Sequence, residues 1–252
     1  MKRILFFLCL LLSFGVSGPS VSATELDMDL LMRLPVLEGG RIKPFDSVVR
    51  NALLSISSKQ RIRIDDQKVS HKQWFKLLVQ DPERADKLSI FSVRNPNISF
   101  VFDEALENRS LFSFEEIKPH LNWLTDNAAK AGEVDHLSRS DFQKDIMTLN
   151  YQVVLYMRLK NTLGVESFKS DKGFVMDYLE YLPRARDIMS AIEDPSKEPM
   201  TVDSQFLSYF ELFKFLNEQS LVRIVPQQDG DWLTMGEACL KSLQGDSIPQ
   251  IV

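Results

Sequence analysis

The stretch Ser140–Leu163, "SDFQKDIMTLNYQVVLYMRLKNTL", decides the structural class of this chain. Its apolar residues Phe142, Ile146, Leu149, Val153 and Tyr156 recur at spacings of 4, 3, 4 and 3, the period of one helical face. Ser140 precedes the run with Gln143 three residues on, which is the capping-box arrangement. The serine hydroxyl accepts a first-turn amide, and the glutamine reaches back to the serine N–H. The spacing predicts a long helix to about Leu163, ended near Gly164.

The same device recurs upstream. Ser70 with Gln73 introduces Trp74, Leu77 and Leu78, and Ser113 with Glu116 introduces Ile117, Leu121 and Leu124. Strand signals are fewer. In Asn97–Phe102, Ile98, Phe100 and Phe102 alternate with Asn97, Ser99 and Val101; Ser220–Pro226 is a second candidate, closed by the loop "PQQDGDW". The fold class expected is mainly α with a minor β component (α+β): a helical domain with one or two short strand pairs.

Gln205–Asn217, "QFLSYFELFKFLN", is the most apolar helix of the mature chain, with polar residues only at Gln205, Ser208, Glu211, Lys214 and its end. Such a helix is either a buried central one or a partner-facing one, with Phe206, Phe210 and Phe213 in contact. Ser190–Ser204, with two prolines and mixed charge, is the candidate linker.

Lys2 and Arg3 precede the apolar run Ile4–Val16, and small residues at Val21, Ser22 and Ala23 follow. This is a signal-peptide pattern over residues 1–23, its run shorter than the about 20 residues that span a bilayer. Residues 24–252 are then a single exported domain, periplasmic, or tethered if the leader is kept. Removing Lys2 and Arg3 moves the net charge from −5 to −5 − 2 = −7. An acidic chain lacks the basic face that binds nucleic acid without sequence preference.

Cleavage also leaves Cys239 as the sole cysteine, so no internal disulfide forms, and it reads as a small core residue on a helix. The three histidines, His71, His120 and His136, lack metal-ligand spacing, and no metal is expected. There is no Cys-x-x-Cys-His for covalent haem, no phosphate-binding glycine loop and no nucleophile elbow. The adjacent carboxylates Asp65-Asp66 and Glu115-Glu116 read as turns and helix starts, so no catalytic residue is assigned.

The most punctuated stretch is Leu34–Ser57, "LPVLEGGRIKPFDSVVRNALLSIS". Gly39 and Gly40 predict a tight turn, and Pro44 makes Lys43 extended. Asp46 fits an N-cap, and Val48, Ala52, Leu53 and Ile56 make one helical face with Arg50 and Asn51 off it. Arg41 and Lys43 project the same way from an extended run, suited to a carboxylate from Asp46, a partner or a haem propionate.

This motif resembles the start of the periplasmic region of system II (CcsA/ResB-type) c-type cytochrome biogenesis proteins, which carry a signature much like GRxKPxDTxxR. The matching positions are Gly40, Arg41, Lys43, Pro44, Asp46, Ser47 and Arg50, with a looser likeness at Trp74, Phe112–Glu116 and Trp232. The family's haem-handling membrane domain, with its tryptophan-rich segments and histidine ligands, has no counterpart between Met1 and Val252. The resemblance therefore implies the extracytoplasmic domain alone, beside a membrane-embedded cytochrome c synthase subunit and/or apocytochrome c. It implies an accessory module without catalysis of its own, touching haem transiently at most. Gly39 to Arg50 would be the docking motif, with Phe206, Phe210, Phe213 and Trp232 as a secondary contact. Two alternatives stand beside it: an unrelated exported hydrolase with an acid beside His120 or His136, and a structural envelope interaction protein.

Overall fold

In the computed structural model, which describes residues 27–64, 67–102, 109–163, 174–194 and 196–244, two successive glycines set the first strand pair. Helix α1 (Met28–Arg33), capped by Asp27, leads into strands β1 (Pro35–Glu38) and β2 (Arg41–Pro44). Gly39 and Gly40 have φ of 58° and 74°. Both central residues at positive φ suit a two-residue type I′ turn, whose twist matches that of the flanking strands. The antiparallel register runs from Pro35 opposite Pro44 to Glu38 opposite Arg41. The leader, residues 1–23, lies outside the described residues.

Helix α2 (Phe45–Ser57) buries the predicted face: Val48, Ala52, Leu53 and Ile56 are each at most 4% exposed. Full burial of such side chains contributes about 1.5–3 kcal/mol apiece. Ser58, at φ 57°, terminates the helix in the left-handed region that glycine more often fills. Strands β3 (Arg61–Ile64) and β4 (Gln67–Ser70) form a second hairpin, its connection at Asp65 and Asp66 outside the described residues. Helices α3 (His71–Gln80) and α4 (Pro82–Asp86) follow, then β5 (Phe91–Ser92).

Pro96–Phe102, expected as a strand, is instead helix α5. Proline suits a first helical turn because it has no N–H to leave unpaired. Asn95 completes the start, its Oδ1 accepting from Asn97 N at 3.1 Å and its carbonyl from Ile98 N and Ser99 N. The alternation that suggested a strand is broken by exposure, for Ile98 is fully buried while Phe100 is 50% exposed. Strand β6 (Leu111–Phe112) pairs with β5, and α6 (Phe114–Ile117) and α7 (Leu121–Gly132) lead to α8 (Asp141–Asn161). All three predicted capping boxes form; at α8, Gln143 N donates to Ser140 Oγ at 3.2 Å and Ser140 N to Gln143 Oε1 at 2.9 Å. The stop expected at Gly164 lies outside the described residues.

The remaining elements are α9 (Phe174–Glu193), α10 (Ser204–Gln219), β7 (Val225–Pro226), β8 (Trp232–Leu233) and α11 (Met235–Leu243). Of the expected strand Ser220–Pro226, only Val225–Pro226 enters a ladder, paired with β8. Arg223 instead makes a lone bridge to Leu37, with N–H···O bonds of 2.9 and 3.0 Å in both directions. The class is therefore mainly α, with four two-stranded antiparallel sheets among the described residues.

The chain resolves into two compact units: Asp46–Lys160, and Met1–Phe45 joined with Asn161–Val252. In the first, Trp74, Phe91, Ile98, Ile146 and Tyr156 are buried, and the Tyr156 ring meets Phe91 edge-on at 5.3 Å. The Tyr156 hydroxyl donates to Asp86 Oδ1 at 2.8 Å, and Lys160 Nζ to Asp86 Oδ2 at 2.9 Å. In the second, α9, α10 and α11 enclose Tyr178, Ala185, Ile188, Phe206, Phe213 and Leu216. The candidate linker Ser190–Ser204 is partly the last turn of α9 and otherwise joins α9 to α10 within this unit.

Helix α11 starts with a capping box of Thr234 and Glu237, and Thr234 Oγ1 donates to Asn217 Oδ1 on α10 at 2.8 Å. Gly236 lets the two helices approach: a Cβ there would press on the backbone of Phe213, Leu216 and Asn217.

Candidate functional site

The motif singled out from the sequence is shared between the two units, and each part has its own geometry. In the hairpin, Lys43 Nζ donates to Glu38 Oε2 across the strands, both side chains half-buried. Among the described residues the carboxylate that Lys43 takes is thus Glu38 rather than Asp46. Glu38 lies directly opposite Arg41 in the ladder, yet its charge goes to Lys43. Arg41 is exposed, and its guanidinium makes no hydrogen bond or ion pair among the described residues. Ile42 beside it is 61% exposed. The second strand therefore shows solvent an uncommitted guanidinium, with five N–H donors in a planar fork, on one face and the branched Ile42 side chain on the other.

In the other unit, Asp46 does not cap its helix, which already begins at Phe45. Its carboxylate instead takes Arg50 one turn on at Oδ2 and His71 Nε2 at 2.7 Å on Oδ1. Burial acts to raise the Asp46 pKa, but the His71 hydrogen bond and charge, joined by Arg50, outweigh it and hold the group below 3.8. This Asp–His–Arg cluster ties the start of α2 to the start of α3. Sequence reading missed the Asp46–His71 pair because the residues are 25 apart. The available hint was a histidine at the first position of a capped helix. Glu116 is handled alike: burial opposes, and Arg109 with the Ser113 cap lowers its pKa.

The residues grouped as a secondary contact separate. Phe206 and Phe213 are 3% and 0% exposed in the α9–α11 core, so packing closes them to a partner. Phe210 is partly buried and stacks on Phe206 at 6.0 Å, while Leu207 and Phe215 are the exposed apolar side chains of α10, at 51% and 43%. Helix α10 is thus central on one side and open on the other. Trp232 is half-buried in β8, its carbonyl accepting from Arg223 at 2.8 Å. Cys239 packs against the same core, and burial pushes its thiol up to about 12.

His120 packs against the Phe102 ring at 5.5 Å, and His136 is exposed in a short 3₁₀ turn. Neither has an acid partner among the described residues. No group of three or more His, Cys, Asp or Glu able to hold a metal occurs among the described residues. No helix among them is long and apolar enough to cross a membrane. No protein-family model matches the chain, and a search of curated proteins finds no match.

Proposed function

We propose that this chain is an exported accessory module of c-type cytochrome biogenesis. It docks a membrane-embedded cytochrome c synthase subunit or apocytochrome c through its first hairpin and catalyses nothing itself. The observation that carries this reading is the exposed Arg41 on β2, whose guanidinium has no partner among the described residues, with Ile42 exposed on the opposite face of the strand. It sits inside the stretch whose sequence most specifically resembles those proteins. An exposed arginine with no intramolecular partner is the residue type enriched at interface centres. Lys43 belongs instead to the scaffold, because it holds the two strands together through Glu38. Haem ligation is assigned to no residue here.

The hydrolase alternative expects an acid beside His120 or His136; among the described residues the histidine that meets a carboxylate is His71, bonded to Asp46 between two helix starts. The test is deletion of the gene in its host, followed by staining of membrane and periplasmic fractions for covalent haem. The deletion removes the stained bands. Wild type and Lys43→Gln restore them at matched protein levels, and Arg41→Ala with Ile42→Ser does not. Bands that survive the deletion, or return with the Arg41/Ile42 variant, overturn the reading.

A further inference from the structure

The charge of this acidic chain is unevenly spread, and its sign reverses at the second hairpin. Residues 59–76 hold six basic and two acidic side chains, against 24 and 33 in the rest of the sequence. The β3–β4 register fixes which of those cations share a face. Arg63 lies directly opposite Lys68, and Arg61, two residues before Arg63, lies opposite Ser70. Side chains alternate across a strand, so Arg61, Arg63, Lys68 and Ser70 make one face, and Ile62 with Val69 belongs to the other. Ile62 is 6% exposed, which turns its face to the core; Arg61, Arg63 and Lys68 are all exposed on the opposite one. Among the described residues no ion pair or side-chain hydrogen bond reaches these three charged groups.

This row works against the hairpin that carries it. Like charges directly opposite one another destabilise an antiparallel pair, with Cβ atoms only about 5 Å apart. A two-stranded hairpin has little stability of its own to lose. The first hairpin is built the other way: Glu38 faces Arg41 and takes Lys43 across the strands. A row of cations without a carboxylate is compensated by an anion from outside.

We propose that the outer face of β3–β4 is a contact surface for an anionic phospholipid bilayer. Arg61 and Arg63 stand about 7 Å apart along the strand, and their long side chains let each charge reach a separate phosphate. A bilayer supplies phosphates that move laterally to meet them, so a flat face needs no pocket. Nucleic acid fits less well: three cations fall short of the roughly 6–10 phosphate contacts of a salt-sensitive nucleic-acid binder, and none of the four residues is aromatic to stack a base. An acidic peptide needs a seat for its side chains, and the face has no apolar residue. Each cation at such a surface adds about fivefold to partitioning, so three make a contact that orients the chain rather than anchors it. This surface goes beyond the cytochrome-assembly reading and is tested without it.

The experiment is sedimentation of the full chain with vesicles of phosphatidylcholine alone or of equimolar phosphatidylcholine and phosphatidylglycerol, the leader being the same in every variant. The anionic vesicles bind more chain, and the excess shrinks as salt rises from about 0.01 to 0.15 M and the screening length falls from about 30 to 8 Å. Arg63→Gln with Lys68→Gln lowers partitioning into anionic vesicles about 25-fold, with the thermal midpoint unchanged or raised. Lys118→Gln with Lys130→Gln removes the same charge from exposed positions elsewhere and leaves partitioning within about twofold. Four results overturn the proposal. They are no preference for the anionic vesicles, equal loss in both double variants, or tighter binding of oligothymidylate or poly-L-glutamate than of anionic vesicles. The fourth is wild-type partitioning in an Arg63/Lys68 variant that aggregates, which would make the row a guard against edge pairing.

Discussion

Gly236→Ala is expected to destabilise the α9–α11 core by about 2–3 kcal/mol, and the structure says why in ångströms. The new Cβ would lie 2.9 Å from the Leu216 carbonyl carbon and closer still to Phe213 O and Asn217 N. All three atoms are backbone, so no rotamer change relieves the contact and α10 must move away from α11. Overpacking of a close-packed site costs about 1–3 kcal/mol, and a rigid backbone neighbour places this one toward the upper end. Alanine's better helix propensity, at most about 1 kcal/mol and less in the first turn, offsets part of it. The internal comparison is Gly132→Ala at the end of α7, where a Cβ meets nothing within 4 Å and φ is not positive. There the unfolded chain loses entropy at no cost in the fold, stabilising by about 0.4–1 kcal/mol. Urea and thermal unfolding measure both, with the Gly236 variant melting roughly 5–10 °C lower. Hydrogen exchange should accelerate in α10 and α11 amides while protection in the middle of α8 persists. A Gly236→Ala variant within about 0.5 kcal/mol of wild type would refute the reasoning, since that is the range of inconsequential surface changes.

Two further outcomes follow from titrating groups. Asp46 is held below 3.8 in the fold, so its ion pairs stabilise above that pH and the contribution is lost as pH falls through the depressed value. The stability gap between wild type and Asp46→Asn should therefore be full at neutral pH and close on acidification in chemical denaturation; a gap constant down to pH 2 would contradict the assignment. Cys239, pushed up to about 12 by burial, should resist iodoacetamide at pH 8 in the native protein and react after unfolding in guanidinium. Equal labelling rates in both states would show the thiol is not held in the core.

What the sequence made legible was whatever is settled within a turn or two of chain. The capping boxes at Ser70, Ser113 and Ser140 depend on contacts three residues apart, so reading them requires no tertiary knowledge. The pair Thr234–Glu237 at α11 obeys the same three-residue rule, with threonine in place of serine. Pro96–Phe102 went astray because a period-two pattern over so few residues is weak, and the Asn95–Pro96 start dominates it. The Gly39-Gly40 turn was visible, but its ladder was not, since register depends on the facing strand. The parts bearing on function were the least legible. Which carboxylate Lys43 takes, whether Arg41 is spent, and that His71 finds Asp46 are decided by side chains meeting across the fold. The division into units was hidden for a related reason. Its boundaries fall at Phe45/Asp46 and Lys160/Asn161, each one residue inside the end of a helix, α2 and α8, so neither cut coincides with a gap between elements.

The Leu37–Arg223 bridge imposes an order in time. Its partners are 223 − 37 = 186 residues apart, whereas everything in Asp46–Lys160 is contiguous. At synthesis rates of about 5–20 residues per second, roughly 10–40 s separate the emergence of the two halves of that bridge. Closure of so long a loop yields its contacts last. The middle of the chain can thus be finished while the first hairpin still waits with one edge of β1 unpaired. Newborn molecules pass through a period in which that edge is open to any passing strand, and a chaperone or early-arriving partner would find its target there.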